Sequence, residues 1–360
     1  MKSYLIFLVT LYCGVVFSQG VAVYTGPDEQ FYVFDSGSFT RLEYQPVQSY
    51  KIGYDQLVYL DNMGRLKWYK EGKSVIVEDY ALTNFFVTDY LIAYLLGDQL
   101  IVLDEGKRKT LKYNKGLFMV GDSLISFYDA QSNYLKAYYN KAIYEIEDGM
   151  GGMPFKSMLS GDNTMAYIDR NDYFKMFYRG EIYDLTYNVS SYRVGKNIIA
   201  YIEGSSSEFK IEYKAEHFEI DLLPPKSYKV ADNLVAFVDN SDNFKVFYDG
   251  EIFELSSFAP DFYKCSENML VYAEDEQFKA FYNGQVFDLD NYTPQKYYLG
   301  QNTIAYIGQQ NQLEVFFKGK EITASSEPLS KLEVFSHAIA ITKHPHAVSV
   351  FYNGREYTAE

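Results

Sequence analysis

Residues 227–255 read SYKVADNLVAFVDNSDNFKVFYDGEIFEL and decide the fold of this 360-residue chain. The stretch contains four short runs rich in aliphatic and aromatic residues, at 228–231, 234–238, 244–248 and 251–255. Polar turns separate the runs. The last turn, Asp249-Gly250, is typical of a two-residue hairpin, because both of its central residues must adopt positive φ. The stretch therefore predicts four antiparallel strands with tight connections.

The same unit fills the chain, because its turn glycine recurs about every 35 residues. The positions equivalent to Gly250 are Gly37, Gly72, Gly106, Lys141, Gly180, Ala215, Gly284, Gly319 and Gly354. Neighbouring positions are 34 or 35 residues apart, except that 39 residues separate Lys141 from Gly180. A fixed period of this size is typical of solenoids, propellers and repeat arrays.

The runs of one unit differ in polarity, which indicates how the strands are arranged. The second run is apolar throughout in several copies, for example at 198–202, 269–273 and 303–307, as expected of a strand buried on both faces. The fourth run alternates charged and apolar residues, so we expect it to lie nearer solvent. A sheet with buried inner strands and a wetter outer strand, flanked by copies of itself, is a propeller blade.

We therefore predict an all-β protein, a β-propeller of ten short four-stranded blades, in one domain spanning residues 19–360. No flexible or charged linker divides the chain. Prolines recur between units, where no ladder needs their missing backbone donor, at Pro46, Pro154, Pro224, Pro260, Pro294 and Pro328. Two five-bladed rings are the main alternative, and an open superhelical array is a further one.

Two short words give the repeat a recognisable form: Ala-Tyr-Ile-Asp at 166–169 and Phe-Lys-x-Phe-Tyr at 174–178. With them the chain resembles bacterial propellers built from tandem four-stranded repeats of about 35 residues. The resemblance spans about residues 20–360 and is architectural, because neither a Trp-Asp nor a kelch signature is present. It implies a fold and carries over no functional residue.

The first 18 residues have the pattern of a signal peptide. Lys2 precedes an apolar stretch at 5–11, and residues 15–18 end in the small residue Ser18. A small residue of this kind is typical of the cleavage site of an export signal. We expect an exported protein, in the periplasm or on the periplasmic side of the outer membrane, with a secreted protein as the alternative. No later segment of the sequence is apolar enough to span a bilayer.

The formal net charge is −15. Nucleic-acid binding requires a basic face, so we expect no nucleic-acid partner.

Cys265 is the only cysteine after the predicted signal, which excludes an internal disulfide. The sequence lacks the P-loop, Rossmann, Gly-x-Ser-x-Gly and His-Glu-x-x-His motifs. We therefore expect neither a cofactor nor catalysis.

Sites on a symmetric scaffold are best sought where the repeat is broken, and the first break is at blade one. Counting back from Gly37, residues 21–25 form its second strand, so its first strand would fall at 13–18, inside the predicted signal peptide. We hypothesise that blade one has three strands and that its open inner edge, at Val21 and Val23, accepts a strand from a partner. The alternative is that neighbouring blades, or Gln19 and Gly20, cover this edge.

The second break is a four-residue insertion, which accounts for the 39-residue spacing. It reads DGMGGMP at 148–154 and joins an outer strand to the next inner strand. Methionine makes adaptable apolar contacts. The candidate partner-binding residues are Gly149, Met150, Gly151, Gly152 and Met153, and a harmless insertion is the alternative.

Two patterns concern metal ligands. Acidic residues follow the second strand in six copies, at Asp61, Asp129, Asp169, Glu203, Asp239 and Glu274. Such residues usually close turns, although an acidic rim could hold Ca²⁺ or a basic partner; no copy has the alternating aspartates of a calcium loop. His344 and His346 are one residue apart, but a zinc site needs further ligands. We expect no metal site.

The sequence favours a non-catalytic protein-interaction propeller, a subunit or accessory of a transport or protein-export complex in the cell envelope, with envelope proteins as its partners. A glycan-binding propeller is the first alternative, and it predicts aromatic side chains pointing out of the loops. A carbohydrate-active enzyme is the second alternative, and it predicts carboxylates that converge at the central channel.

Overall fold

The computed structural model describes residues 20–359, except 27, 28, 81, 83, 105, 113–115, 328 and 344–346. Within these residues the chain forms 39 strands and no helix, and the strands pair into ten antiparallel sheets that follow one another along the chain. None of the described residues forms a helix able to cross a membrane. The predicted signal peptide, Pro328, His344 and His346 lie outside the described residues.

Each sheet is one blade, and we call its strands a to d from the inner to the outer edge. Blades one to three contain β1 (Val21–Thr25), β2 (Phe31–Asp35), β3 (Ser38–Glu43); β4 (Ser49–Ile52), β5 (Leu57–Leu60), β6 (Leu66–Lys70), β7 (Lys73–Glu78); β8 (Asn84–Val87), β9 (Ile92–Leu96), β10 (Gln99–Asp104) and β11 (Lys107–Lys112). Blades four to six contain β12 (Phe118–Val120), β13 (Leu124–Asp129), β14 (Tyr134–Tyr139), β15 (Ala142–Asp148); β16 (Phe155–Ser160), β17 (Thr164–Asp169), β18 (Tyr173–Tyr178), β19 (Glu181–Tyr187); β20 (Val189–Val194), β21 (Ile198–Glu203), β22 (Phe209–Tyr213) and β23 (Glu216–Asp221).

Blades seven to ten continue the pattern. They contain β24 (Ser227–Ala231), β25 (Leu234–Val238), β26 (Phe244–Tyr248), β27 (Glu251–Ser256); β28 (Phe262–Ser266), β29 (Met269–Glu274), β30 (Gln277–Tyr282), β31 (Gln285–Asp290); β32 (Tyr297–Gly300), β33 (Thr303–Ile307), β34 (Leu313–Phe317), β35 (Lys320–Ser325); β36 (Leu329–Val334), β37 (Ala338–Lys343), β38 (Val348–Tyr352) and β39 (Arg355–Thr358). Blade one consists of strands b, c and d among the described residues.

Blade seven shows why the repeat folds in this way. Every residue of its b strand, β25, is buried, whereas every residue of its d strand, β27, except the last is exposed or partly buried. The c–d turn at Asp249 and Gly250 has φ values of 48° and 89°, the two positive angles that a type I′ turn requires. The prediction of four-stranded blades with buried second strands is therefore confirmed.

The hydrophobic core is divided into ten clusters of the described residues, and each cluster lies between two consecutive blades. The cluster between blades five and six contains Met176 and Tyr201, and the one between blades ten and one contains Val350 and Phe34. Both contacts belong to a single ring, because two five-bladed rings would instead pair blade five with blade one. Cys265 is partly buried against the cluster between blades seven and eight.

Blade one is held by its neighbours at its inner edge. Tyr50 on the a strand of blade two donates a hydrogen bond of 2.6 Å to Glu333 on the a strand of blade ten. Phe335, which follows that strand of blade ten, packs against the core clusters on both sides of blade one. Tyr54 of blade two also contacts His337 of blade ten edge to face, with ring centroids 4.4 Å apart. These contacts join blades two and ten across the inner edge of blade one; that this edge accepts a partner strand stays a prediction.

Candidate functional site

Strand direction divides the surface of the ring into two faces. Because consecutive strands of a blade are antiparallel, the b–c loops and the crossovers from strand d to the next strand a lie on one face, which we call the loop face. The a–b turns and the c–d turns lie on the opposite face, which we call the turn face. The predicted insertion at 149–153 and the acidic residues after strand b all belong to the loop face.

The loop face displays a series of large apolar side chains. Each of the seven consecutive connections from blade one to blade eight presents at least one such residue, 53–74% exposed. These residues are Tyr44, Tyr80, Leu117, Met150, Tyr187, Leu222 and Phe258. Tyr187 is the last residue of β19, and the other six lie between strand d and the next strand a. Single exposed apolar residues are common on soluble proteins, but their recurrence in seven consecutive connections makes this series a candidate for partner contact.

Short polar turns fix the backbone of these crossovers. The carboxylate of Asp148 accepts a hydrogen bond of 2.7 Å from the amide of Met150. In the same way Asp221 accepts one of 3.1 Å from the amide of Leu223, and the hydroxyl of Ser256 accepts one of 3.0 Å from the amide of Phe258. A proline follows within four residues in each case. At these three crossovers the apolar side chains therefore stand on hydrogen-bonded turns, which lowers the entropy cost of binding.

The predicted candidate loop at 149–153 forms one member of this series. Its turn is closed by a hydrogen bond of 2.8 Å from the amide of Gly152 to the carbonyl of Gly149. Arg170 of blade five donates to the carbonyl of Gly149 at 3.2 Å and lies 3.1 Å from the sulfur of Met150. The side chains of Met150 and Met153 remain exposed. That this loop binds a partner stays a prediction.

The other predicted contact residues, Val21 and Val23, are in a different environment. Their side chains are buried in the core cluster between blades one and two, at 2% and 0% exposure. They offer a partner no side-chain surface, and Tyr50 and Glu333 lie across the adjacent edge. Participation of these valines in partner binding stays a prediction, and it does not enter the proposal below.

The acidic residues after strand b serve their own loops. Asp239, for example, accepts hydrogen bonds of 2.9 Å from the amides of Ser241 and Asn243 and pairs with Lys245 at 2.7 Å. Hydrogen bonds from Lys245 and from the loop outweigh burial and lower the pKa of Asp239 to about 2. Equivalent lysine pairs occur in blades two, four, five, six and eight, at Lys67, Lys136, Lys175, Lys210 and Lys279. The four aspartates accept hydrogen bonds from amides of their own loops and so close the turns, as we expected.

The turn face brings charged side chains together at the mouth of the central channel. The first of the two central residues of each a–b turn lies near its counterparts, and in blades three to eight these residues are Asp89, Asp122, Asp162, Lys196, Asp232 and Glu267. Lys196 pairs with the buried Asp162 at 2.9 Å, and Asp122 accepts a hydrogen bond of 2.8 Å from the amide of Asp89. Six residues from six blades thus form one charged cluster around a single lysine.

Burial and mutual repulsion change the proton affinity of this cluster. Burial, and then the charge of Asp89, raise the pKa of Asp122 to about 7. Burial followed by repulsion from Asp232 raises the pKa of Glu267 to about 7, and burial raises that of Asp232 to about 6. Burial opposes the charge of Lys196, but its pair with Asp162 outweighs burial and raises the pKa of the lysine. Chemically, the cluster can hold protons near neutral pH.

The second residues of the same turns form an amide ladder. Asn163 donates to Asn197 at 3.0 Å, and Asn197 donates to Asn233 at 3.1 Å. Asn268 donates to Asn302 at 2.7 Å in the next blades. These hydrogen bonds join neighbouring blades beside the charged cluster, so the asparagines of these turns have a structural role. In the described residues, no group of three or more His, Cys, Asp or Glu side chains has metal-binding geometry.

Sequence reasoning missed both the crossover series and the channel cluster. The crossover residues stand seven to eleven positions after the c–d turn residue of the preceding blade, so aligning the repeats could have found them. The channel residues share the first position of the a–b turn, and the same alignment would have shown four Asp, one Glu and one Lys in register across blades three to eight.

The fold and these sites define the class of protein. Ten consecutive four-stranded or three-stranded sheets closed into one ring are the architecture of a ten-bladed propeller. The model of the 10-bladed beta propeller domain family matches residues 15–357. The chain therefore belongs to this family.

The chain is similar to several solved structures at low sequence identity. The computationally designed protein Ika8 is 15% identical, with 75% of this chain and 96% of that chain covered and a TM-score of 0.35. PorZ, a surface component of the type-IX secretion system of Porphyromonas gingivalis, is 11% identical, with coverage of 95% and 58% and a TM-score of 0.26. Hsv2p of Kluyveromyces lactis is 11% identical, with coverage of 64% and 88% and a TM-score of 0.31. No curated protein matches the sequence significantly.

Proposed function

We propose that this protein is a non-catalytic interaction propeller that docks partner proteins on its loop face, as a subunit or accessory of a transport or protein-export complex in the bacterial cell envelope. One observation carries the proposal: seven consecutive inter-blade connections each present a large, exposed apolar side chain, and short hydrogen-bonded turns hold the backbone at three of them. A face of this kind offers several anchors to one large partner.

The magnitudes support docking. Burying one side chain such as Leu222 or Phe258 against a partner stabilises a complex by about 1.5–3 kcal/mol. A few such anchors dominate the affinity of most interfaces. The series mixes aliphatic side chains, such as Leu117 and Leu222, with aromatic ones. Sugar stacking needs flat aromatic rings, so this mixture supports a protein partner over a glycan.

Placement in the envelope is supported by the sequence. The charged and apolar pattern of residues 2–18 is typical of an export signal, and the periplasm or the periplasmic side of the outer membrane is the compartment that we propose. The acidic net charge of −15 is suited to a protein that stays in solution until it meets its partner.

The experiment is affinity purification of the tagged protein from its native envelope in mild detergent, followed by quantitative mass spectrometry. We expect a stoichiometric envelope protein with the wild type and its loss with the triple variant Tyr187→Ser, Leu222→Ser, Phe258→Ser. The matched control is Val75→Ser, Ile252→Ser, Val286→Ser, which changes three exposed apolar residues on d strands. Recovery of the protein alone, or equal loss in both variants, would contradict the proposal.

The channel cluster supports a second candidate, a carbohydrate-active enzyme. Several carboxylates converge there, as this interpretation predicted, and Glu267 has a raised pKa of about 7 that suits a general acid. Hydrolysis of labelled oligosaccharides by the wild type, abolished in Glu267→Gln, would support this candidate. Absence of hydrolysis across a broad glycan panel would dismiss it.

A further inference from the structure

One arc of the loop face combines exposed apolar side chains with carboxylates that have no ion pair among the described residues. It spans blades six to eight and contains the crossover residues Leu222, Leu223 and Phe258, which are 74%, 50% and 74% exposed. We call these residues the arc anchors.

The charges around the arc anchors do not cancel. Three lysines of blades seven and eight are paired with nearby acids: Lys226 with Asp242 at 2.6 Å, Lys245 with Asp239 at 2.7 Å and Lys279 with Glu274 at 3.0 Å. Four further carboxylates have no ion pair among the described residues, and these are Asp221, Asp261, Asp275 and Glu276. We call them the arc carboxylates.

From these two observations we infer that the arc on blades six to eight binds a protein segment whose apolar side chains are flanked by lysine or arginine. The inference rests on the proposed function and names the chemistry of the partner. The anchors supply the apolar contact, and the arc carboxylates supply the complementary field that speeds encounter and selects the partner.

The same charges disfavour the other occupants of the surface. A second copy that presented the same arc would bring like charges together, which costs free energy across an interface. An anionic lipid surface would be repelled for the same reason. A neutral apolar segment would gain the anchors but leave the arc carboxylates uncompensated at the rim. A basic segment with apolar anchors is the occupant that satisfies both sets of groups.

The test uses the full chain and two fluorescent peptides. The basic probe carries one leucine and one phenylalanine flanked by lysines, and its acidic counterpart has glutamate in place of each lysine. We expect the basic probe to bind about tenfold more tightly than the acidic one and to weaken by a similar factor between about 50 and 300 mM NaCl, because salt screens exposed charges. A photoreactive group on the probe should crosslink beside Leu222 or Phe258.

Two variants and a matched control locate the binding. The anchor variant is Leu222→Ser, Phe258→Ser, and the charge variant is Asp221→Asn, Asp261→Asn, Asp275→Asn, Glu276→Gln. The control removes four exposed charges from the d strands of blades six and seven: Glu216→Gln, Glu219→Gln, Glu251→Gln, Glu254→Gln. We expect affinity for the basic probe to fall about fivefold or more in the two arc variants and less than about twofold in the control.

Equal weakening in the control would overturn the inference, because binding would then follow net charge alone. Equal affinity for the two probes, or crosslinks confined to the turn face, would overturn it as well. These outcomes are separable from failure of the proposed function. If the charge variant retains the native envelope partner and the triple loop-face variant loses it, docking on the loop face stands and the basic chemistry of the partner is wrong. Self-association of the protein that the charge variant strengthens would assign the arc to a second copy and also overturn the inference.

Discussion

The second residue of the c–d turn marks the repeat along the chain, because every blade needs positive φ at this position. Glycine accepts such a conformation without steric cost, and Gly250 adopts it with φ of 89°. Two blades place other residues there: Lys141 has φ of 66° and Ala215 has φ of 64°. The tertiary structure therefore imposes the turn even where the local sequence resists it.

We predict that Ala215→Gly stabilises the protein by about 1 kcal/mol, because it relieves a left-handed conformation that is unfavourable for a residue with a Cβ atom. Gly250→Val should cost about 1–3 kcal/mol at the equivalent turn, because a β-branched residue would be held at positive φ. Urea denaturation of both variants checks the pair. Equal stability of the Gly250→Val variant would contradict the assignment of this hairpin turn.

At the scale of elements, the ends of the a strands pack closely around the channel. A Cβ atom added at Gly161 would lie 2.2 Å from the carbonyl oxygen of Gly195 in the next blade, and one added at Gly195 would lie 2.3 Å from the carbonyl oxygen of Ala231. Such distances are far inside van der Waals contact. The inner strands of these blades thus approach each other through bare backbone, and the asparagine ladder joins the adjacent turns.

We predict that Gly161→Ala destabilises the protein by about 1–3 kcal/mol, because backbone must move to admit the methyl group. The matched control is Gly152→Ala in the crossover between blades four and five, where the nearest atom to an added Cβ is 3.8 Å away. The control should change the free energy of unfolding by less than about 0.5 kcal/mol. Thermal and denaturant unfolding measure both, and equal effects would show that the inner strands are not closely packed.

On the scale of the whole molecule, the ring concentrates negative charge in its channel. Asp122, Asp232 and Glu267 come from blades four, seven and eight, and each has a raised pKa. A carboxyl group whose pKa is raised by folding binds its proton more tightly in the folded state. Its contribution to stability is fully present below the unfolded pKa near 4 and is lost as pH rises through the folded value.

We therefore predict that the protein is more stable at about pH 5 than at about pH 8, with the loss centred on the folded pKa values of about 6 to 7. The acids with lowered pKa, such as Asp239 at about 2, act in the opposite sense and lose their contribution only in more acidic solution. Urea denaturation at constant ionic strength measures the difference. The double variant Asp122→Asn, Glu267→Gln should reduce it, and an unchanged pH dependence in this variant would contradict the assignment.

The sequence by itself determined the blade. Its period placed the turn residues, the apolar second runs identified the b strands, and the Asp-Gly and Asn-Gly pairs located the hairpins, because all of these are local properties of a chain of strands. It also identified the crossover between blades four and five as an interruption of the repeat. Tyr201 is buried in a b strand and Asp249 has positive φ in a c–d turn, as the local sequence predicts.

Only the tertiary structure decided how the blades are joined and which side chains meet. The number of blades in one ring depends on the packing angle between successive blades. This angle has no local sequence signal, because its effect accumulates over the whole ring. The contact of Tyr50 with Glu333 across blade one exists only once the ring is closed. The channel cluster draws on turns about 35 residues apart or more. Leu222 and Phe258 have the same residue types as the buried core, so only their position on the surface distinguishes an anchor from a core residue.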